Sequence, residues 1–107
     1  LLLLSVVAVG CGSSRADLLA ELENARKVLD LQVEEAERNR QKLYAKDSVL
    51  LRKHVAPVEN WVKGSPEDKA YRKELEALPE YQTQKKLNAK VEETQAEIDS
   101  IEDRLKG

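Results

Sequence analysis

Phenylalanine and methionine are absent from this 107-residue chain, histidine, cysteine and tryptophan occur once each, and three tyrosines complete the aromatics. So few large side chains cannot fill a thick globular core. A single cysteine excludes an intramolecular disulfide framework and any paired-cysteine zinc site. Four glycines and three prolines leave no Gly-rich phosphate loop and few places for a tight turn. A net charge of −2 gives no reason to propose nucleic acid as a partner. No Ser/His/Asp set stands out, and we expect neither an enzyme nor a bound metal or other cofactor.

What is present is charge, at 36% of residues, together with Ala, Leu, Glu, Lys and Arg. That composition argues for long exposed helices and an all-α fold. Ser14 followed by Asp17 has capping-box spacing. From there Leu22, Leu29, Ala36, Leu43 and Leu50 recur every seven residues, and a second row, Leu18 and Ala25, decays into Gln32, Asn39 and Lys46. Val33, Tyr44 and Leu51 are expected to widen the first row. No proline or glycine interrupts residues 15–56, which read as one helix of about 60 Å at 1.5 Å per residue. Pro57 stops it, and residues 57–65 form a turn. Ser65-Pro66-Glu67-Asp68 then gives a helix start: Ser as N-cap, Pro at the first position, acids in the first turn. The second arm, 66–106, carries Tyr71, Leu75 and Leu78 and meets Pro79, which either kinks it or starts a new helix at Glu80. Leu87, Val91, Thr94, Ile98, Ile101 and Leu105 step by four and three, the spacing of a coiled-coil seam.

Two arms of nearly equal length imply a long antiparallel helical hairpin. If facing residues sum to about 121, three charge blocks match in sign. Arg40, Lys42 and Lys46 meet Glu74, Glu76 and Glu80; Glu34, Glu35 and Glu37 meet Lys85, Lys86 and Lys90; Arg26 and Lys27 meet Glu92, Glu93 and Glu97. Such pairs select a register more than they stabilise. The plain alternative is that alternating charge only solvates a long helix. Ala25, Gln32, Ala36 and Asn39 make the middle of the seam thin. Either they admit a third helix from a second copy or a partner, or they let the two arms approach closely, and we favour association into a homo-oligomer or a complex.

His54, in Arg52-Lys53-His54, sits where cations complement a helix C-terminus. No orienting partner lies near it in sequence to make it a base. Glu34 with Glu37, and Asp99 with Asp103, share helical faces but lack His or Cys companions and read as solvated charge. Trp61 stands in the turn among Val55, Pro57, Val58 and Val62. Either it closes a small satellite core around Tyr71, or it belongs to an apolar tip flanked by Arg52, Lys53 and Lys63, open to an anionic partner surface.

The N-terminal segment is different in kind. Leu1-Leu2-Leu3-Leu4-Ser5-Val6-Val7-Ala8-Val9-Gly10 is too short to span a bilayer but has the length of a signal-peptide core. It ends at Cys11, with Gly10 at −1 and Ala8 at −3, and Gly12, Ser13 and Ser14 follow as a short linker. This arrangement resembles the lipobox of bacterial lipoproteins. The resemblance is specific over residues 1–12 and implies a signal peptide, 1–10, removed before a lipidated Cys11. The chain starts at Leu1 with neither Met nor a basic n-region, so we expect a few residues upstream. Position −3 is more often Leu in this family. The resemblance also implies an extracytoplasmic, lipid-anchored protein. With Gly12 rather than Asp after the cysteine, it points to the periplasmic face of the outer membrane in a two-membrane envelope, or the outer face of the plasma membrane in a single-membrane one.

Together these readings lead to a membrane-anchored envelope lipoprotein, a structural spacer or interaction module. Its partner would be an envelope protein or a cell-wall polymer, met at the tip (Trp61, Val58, Val62, Arg52, Lys53, Lys63). Its coiled-coil seam would be Leu18, Leu22, Leu29, Leu43, Leu50, Leu75, Leu78, Leu87, Val91, Ile98, Ile101 and Leu105. The alternative is a chaperone-like or accessory subunit that binds a partner's helix along an exposed seam. A lytic envelope peptide fits less well, because the helices are charged all round except at the seam.

Overall fold

The computed structural model describes residues 14–107, so Cys11 and the apolar segment before it lie outside the described residues. The chain is an all-α helical hairpin: helix α1, Arg15–His54, a short 3-10 turn at Val58–Asn60, helix α2, Pro66–Ala77, and helix α3, Pro79–Lys106. Helix α1 begins where Ser14 caps it, the Asp17 amide donating to Ser14 Oγ at 3.1 Å. It ends at His54, two residues short of Ala56. The residue before a proline, here Ala56, avoids helical geometry, while the buried Val55 still donates its amide to Leu51 O at 2.9 Å.

The second arm breaks at Leu78, which is extended (φ −68°, ψ 136°). Its amide donates to Leu75 O at 3.1 Å, closing α2, and its carbonyl accepts from Tyr81 at 3.1 Å and Gln82 at 3.3 Å, opening α3. The new helix starts at Pro79 itself rather than at Glu80, because proline at a first helical position gives up an amide that has no partner there.

Two compact units divide the chain. The first joins α1 up to Val33 with Ala89–Gly107. Leu18, Leu22, Ala25, Ile98 and Ile101 form its core, and Leu29 and Leu105 pack against them. These are the four-three positions of both arms, so the seam here closes on itself and buries apolar surface at roughly 25 cal/mol per Å². Thr94 is also buried and Val91 half-buried. The Arg15 guanidinium donates to Leu105 O at 3.1 Å, and Arg26 pairs with Glu102 at 2.8 Å. Arg26 thus reaches Glu102 rather than Glu92, Glu93 or Glu97, and Lys27 approaches Glu23 of its own helix at 3.8 Å.

The second unit is Glu34–Asn88. Its seam mixes small, polar and apolar residues at its start: Ala36, Gln84 and Leu87 are buried, and Asn39 and Leu43 half-buried. Asn39 Nδ2 donates to Glu80 O at 2.9 Å and to Gln84 Oε1 at 2.8 Å, and Gln84 Nε2 donates to Asn88 Oδ1 at 3.0 Å. In this unit the thin part of the seam therefore holds amide hydrogen bonds beside the small side chain of Ala36. Further along, Leu50, Val55 and Tyr71 make a second core, with Leu51, Leu75 and Leu78 against it. Lys46 meets Glu80 at 2.8 Å, as the charge blocks require. Glu37, by contrast, is taken by Arg40 one turn away, and among the described residues no ion pair joins Glu34, Glu35 or Glu37 to Lys85 or Lys86. Long side chains close on whichever neighbour is nearest. Val33 and Tyr44 are exposed and do not widen the seam, whereas Leu51 does.

Candidate functional site

The turn of the second unit holds the chain's only tryptophan and a buried carboxylate, and both follow from local backbone. The Ala56–Pro57 bond is cis. The carbonyl of Pro57 accepts from Asn60 and that of Val58 from Trp61, each at 3.0 Å, which makes the 3-10 turn. The chain then turns again at 62–65, where the Ser65 amide donates to Val62 O at 3.1 Å. Gly64, third in that turn, takes φ +85°, a region that favours glycine. Ser65 caps α2 as its sequence implies, its Oγ accepting from the Asp68 amide at 3.1 Å.

Asp68 does more than favour a helix dipole. Only 1% of its surface is exposed. Its carboxylate accepts from Trp61 Nε1 at 2.7 Å, from the Gly64 amide at 2.8 Å, and from Arg72 Nε at 3.0 and 3.2 Å. The Gly64 amide above all, with Trp61 and Arg72, outweighs desolvation and holds the carboxyl below its usual range. A buried carboxylate this well supplied with donors stays ionised and fixes the groups around it. The Trp61 ring meets Tyr71 edge to face, 5.6 Å between centroids at 84°. Tyr71 is buried, and its hydroxyl donates to Asp47. Burial first, and the Asp47 bond second, push its pKa well above the usual phenol value.

Trp61 thus packs edge to face on Tyr71 of the second core without being enclosed in it. It remains 37% exposed beside Val58 at 56% and Val62 at 64%. A half-open cleft of about 300 Å³ lies here, lined by His54, Pro57, Asn60, Trp61, Val62 and Glu67 among others. Of the cations expected at the tip, Arg52 and Lys63 are exposed, while Lys53 is engaged with Glu74 at 2.9 Å. That pairing holds the Glu74 carboxyl below its usual range. His54 Nε2 also faces Glu74, at 3.3 Å. The one serine hydroxyl in the cleft wall, Ser65, accepts the α2 cap bond.

Among the described residues no group of three or more His, Cys, Asp and Glu gathers in a way that could hold a metal ion. Nor is any described helix long and apolar enough to cross a membrane. The seam residues lie where the heptads put them: Leu18, Leu22, Leu50, Leu87, Ile98 and Ile101 are buried, and Leu29, Leu43, Leu75, Leu78, Val91 and Leu105 half-buried. Sequence reading missed Asp68 as the centre of the turn, although Ser65 and Asp68 have capping-box spacing, with Arg72 one helical turn on. No protein-family model matches this chain, and neither a curated protein nor a solved structure matches it.

Proposed function

We propose that this protein is a lipid-anchored envelope protein that presents its turn to a partner. Cys11 carries the lipid, α1 leads from the anchor region to the turn, and Trp61, Val58 and Val62 make the contact. The observation that carries this reading is exposed apolar surface gathered beside a tryptophan held by Asp68 and Tyr71. The seam positions of both units are buried or half-buried, and Leu19, Val28, Leu31, Val33, Tyr44 and Val49 stand exposed along α1 with no such anchor among them. At the turn, Val58, Trp61 and Val62 stand partly or largely in solvent within five residues of one another. Clustered exposed apolar groups beside a rigid aromatic are the usual core of a contact site. The rival reading, a subunit that grips a partner's helix along its seam, requires the arms to part first and lose the burial that holds them.

Two substitutions test the two halves of the proposal. Cys11→Ser should abolish fatty-acid labelling and leave an unprocessed precursor that still carries residues 1–10. Val58→Ser with Val62→Ser should leave labelling and helix content intact but release the protein from cross-links to its envelope partner. Labelling that survives Cys11→Ser removes the anchor, and cross-links that survive the valine substitutions remove the turn as the contact.

A further inference from the structure

We propose that the cleft of the turn is a carbohydrate subsite that takes one ring of a neutral glycan against Trp61. This rests on the reading of the turn as the contact region and supplies the chemistry of what it contacts. Trp61 is held before any ligand arrives, its Nε1–H by Asp68 at 2.7 Å and its ring by Tyr71. Such an anchor orders no side chain on binding. The C–H face of a pyranose is the small flat apolar surface that an indole accepts.

The rest of the wall supplies the other half of sugar recognition. Pro57 and Val62 continue the apolar side, and Asn60, Glu67 and His54 add an amide, a carboxylate and an imidazole. An amide with a carboxylate offers the donors and acceptors that neighbouring hydroxyls need. At about 300 Å³ the cleft is at the small end of ligand cavities, room for a ring rather than for a helix.

Charge argues in the same direction. Arg72 is matched to Asp68 and Lys53 to Glu74. Within residues 52–67 the carboxylates and cations outside the described ion pairs are Arg52 and Lys63 against Glu59 and Glu67, all exposed. Near-balance of this kind recruits neither a polyanion nor an anionic lipid surface, both of which need an excess of cations. It favours a neutral partner over the anionic one that Arg52, Lys53 and Lys63 suggest in sequence.

The test uses the full chain in detergent. Its single tryptophan is the residue in question, so intrinsic emission reports the cleft directly. Chitotetraose and cellotetraose are titrated as neutral probes, with dextran sulfate and phosphatidylglycerol vesicles as anionic ones. A saturable emission change with at least one neutral sugar is expected. Asn60→Ala and Glu67→Ala, both outside the Asp68 network, should each weaken it about tenfold, the worth of one hydrogen bond, with helix content unchanged. The proposal is overturned by no response or a non-saturating response to both sugars, by equal binding in both variants, or by a response to the anionic probes alone. If the Val58/Val62 variant loses its envelope cross-links while neither sugar binds, the contact reading stands and the carbohydrate assignment falls.

Discussion

Leu18, Leu22, Ala25, Ile98 and Ile101 meet in the first unit without an ionisable group among them. In the second unit, Leu50, Val55 and Tyr71 are tied through Tyr71 to Asp47, and through the Tyr71–Trp61 contact to Asp68, Gly64 and Arg72. One set is a repeating apolar seam, in which each residue adds an increment of its own. The other is a junction of hydrogen bonds on one carboxylate, in which each partner depends on the rest. Loss of a side chain from the seam should lower stability in proportion to the volume removed. Loss of the hub from the junction should release a whole segment at once.

The largest effect is expected at Ile101, which is 2% exposed. Ile101→Ala should cost about 2–5 kcal/mol, by lost burial and the cavity left behind. That is a large share of the 5–15 kcal/mol typical of whole domains. Urea denaturation followed by circular dichroism measures it. A loss under about 1 kcal/mol would mean that the seam collapses onto the gap and contributes less than its burial implies.

Asp68→Asn comes next. It keeps the shape of the side chain but removes the charge shared by Trp61, the Gly64 amide and Arg72. Trp61 emission should shift to the red and amide protection should fall across 61–72, while the methyl signals of Ile98 and Ile101 stay in place. Shifts at those methyls would show that the seam and the junction are not the separate devices described above.

The seam was legible because heptad spacing is a one-dimensional signal. Leu22, Leu29, Leu43 and Leu50, like Ile98, Ile101 and Leu105, are inside or half inside for the reason that their spacing gives. The junction was not legible in the same way. Asp68 reads as one more acid in a first helical turn until Gly64 takes φ +85° and brings Trp61 back over it. That return is a property of the folded loop and not of any local pattern. The charge blocks were half legible: Lys46 finds Glu80, but Arg26 passes over Glu92, Glu93 and Glu97 to reach Glu102. Flexible surface side chains respond to stagger and to near neighbours, which a residue sum does not contain. Val33 and Tyr44 failed because a heptad flank is buried only if the partner arm is broad enough to cover it.

Acid and base should separate the two cores more gently than mutation. In the second unit the Gly64 amide chiefly depresses the Asp68 carboxyl, Lys53 that of Glu74, and Lys46 that of Glu80. A depressed folded pKa means that the unfolded chain takes up the proton first. The stability these carboxylates contribute is therefore intact above the unfolded values, 3.8 for Asp and 4.5 for Glu, and lost as pH falls through the lower folded ones. Tyr71 works from the other side. Its raised pKa contributes fully below the unfolded value of 10.0, and that contribution is lost as pH rises beyond it. Trp61 emission should accordingly change at both extremes before the Ile98 and Ile101 methyls do. Tyr71→Phe should lose about 1 kcal/mol at neutral pH, the hydrogen bond to Asp47, and abolish the alkaline limb alone. An alkaline limb that persists in that variant would assign it to another group.

The smallest effect belongs to Arg26. Its pair with Glu102 joins the two arms of the first unit at 2.8 Å, but the side chains are 58% and 41% exposed. Water and salt screen such a pair, and the entropy of holding two long side chains offsets much of the attraction. Arg26→Ala should change stability by less than about 1 kcal/mol, and by still less in high salt. The same substitution should leave the register of the arms unchanged, because Leu22 and Ile101 already fix it by packing. Disulfide trapping between cysteines introduced on the two arms would show this. If Arg26→Ala lets the arms slip to a second register, then surface charge, and not the apolar seam, specifies how this unit closes.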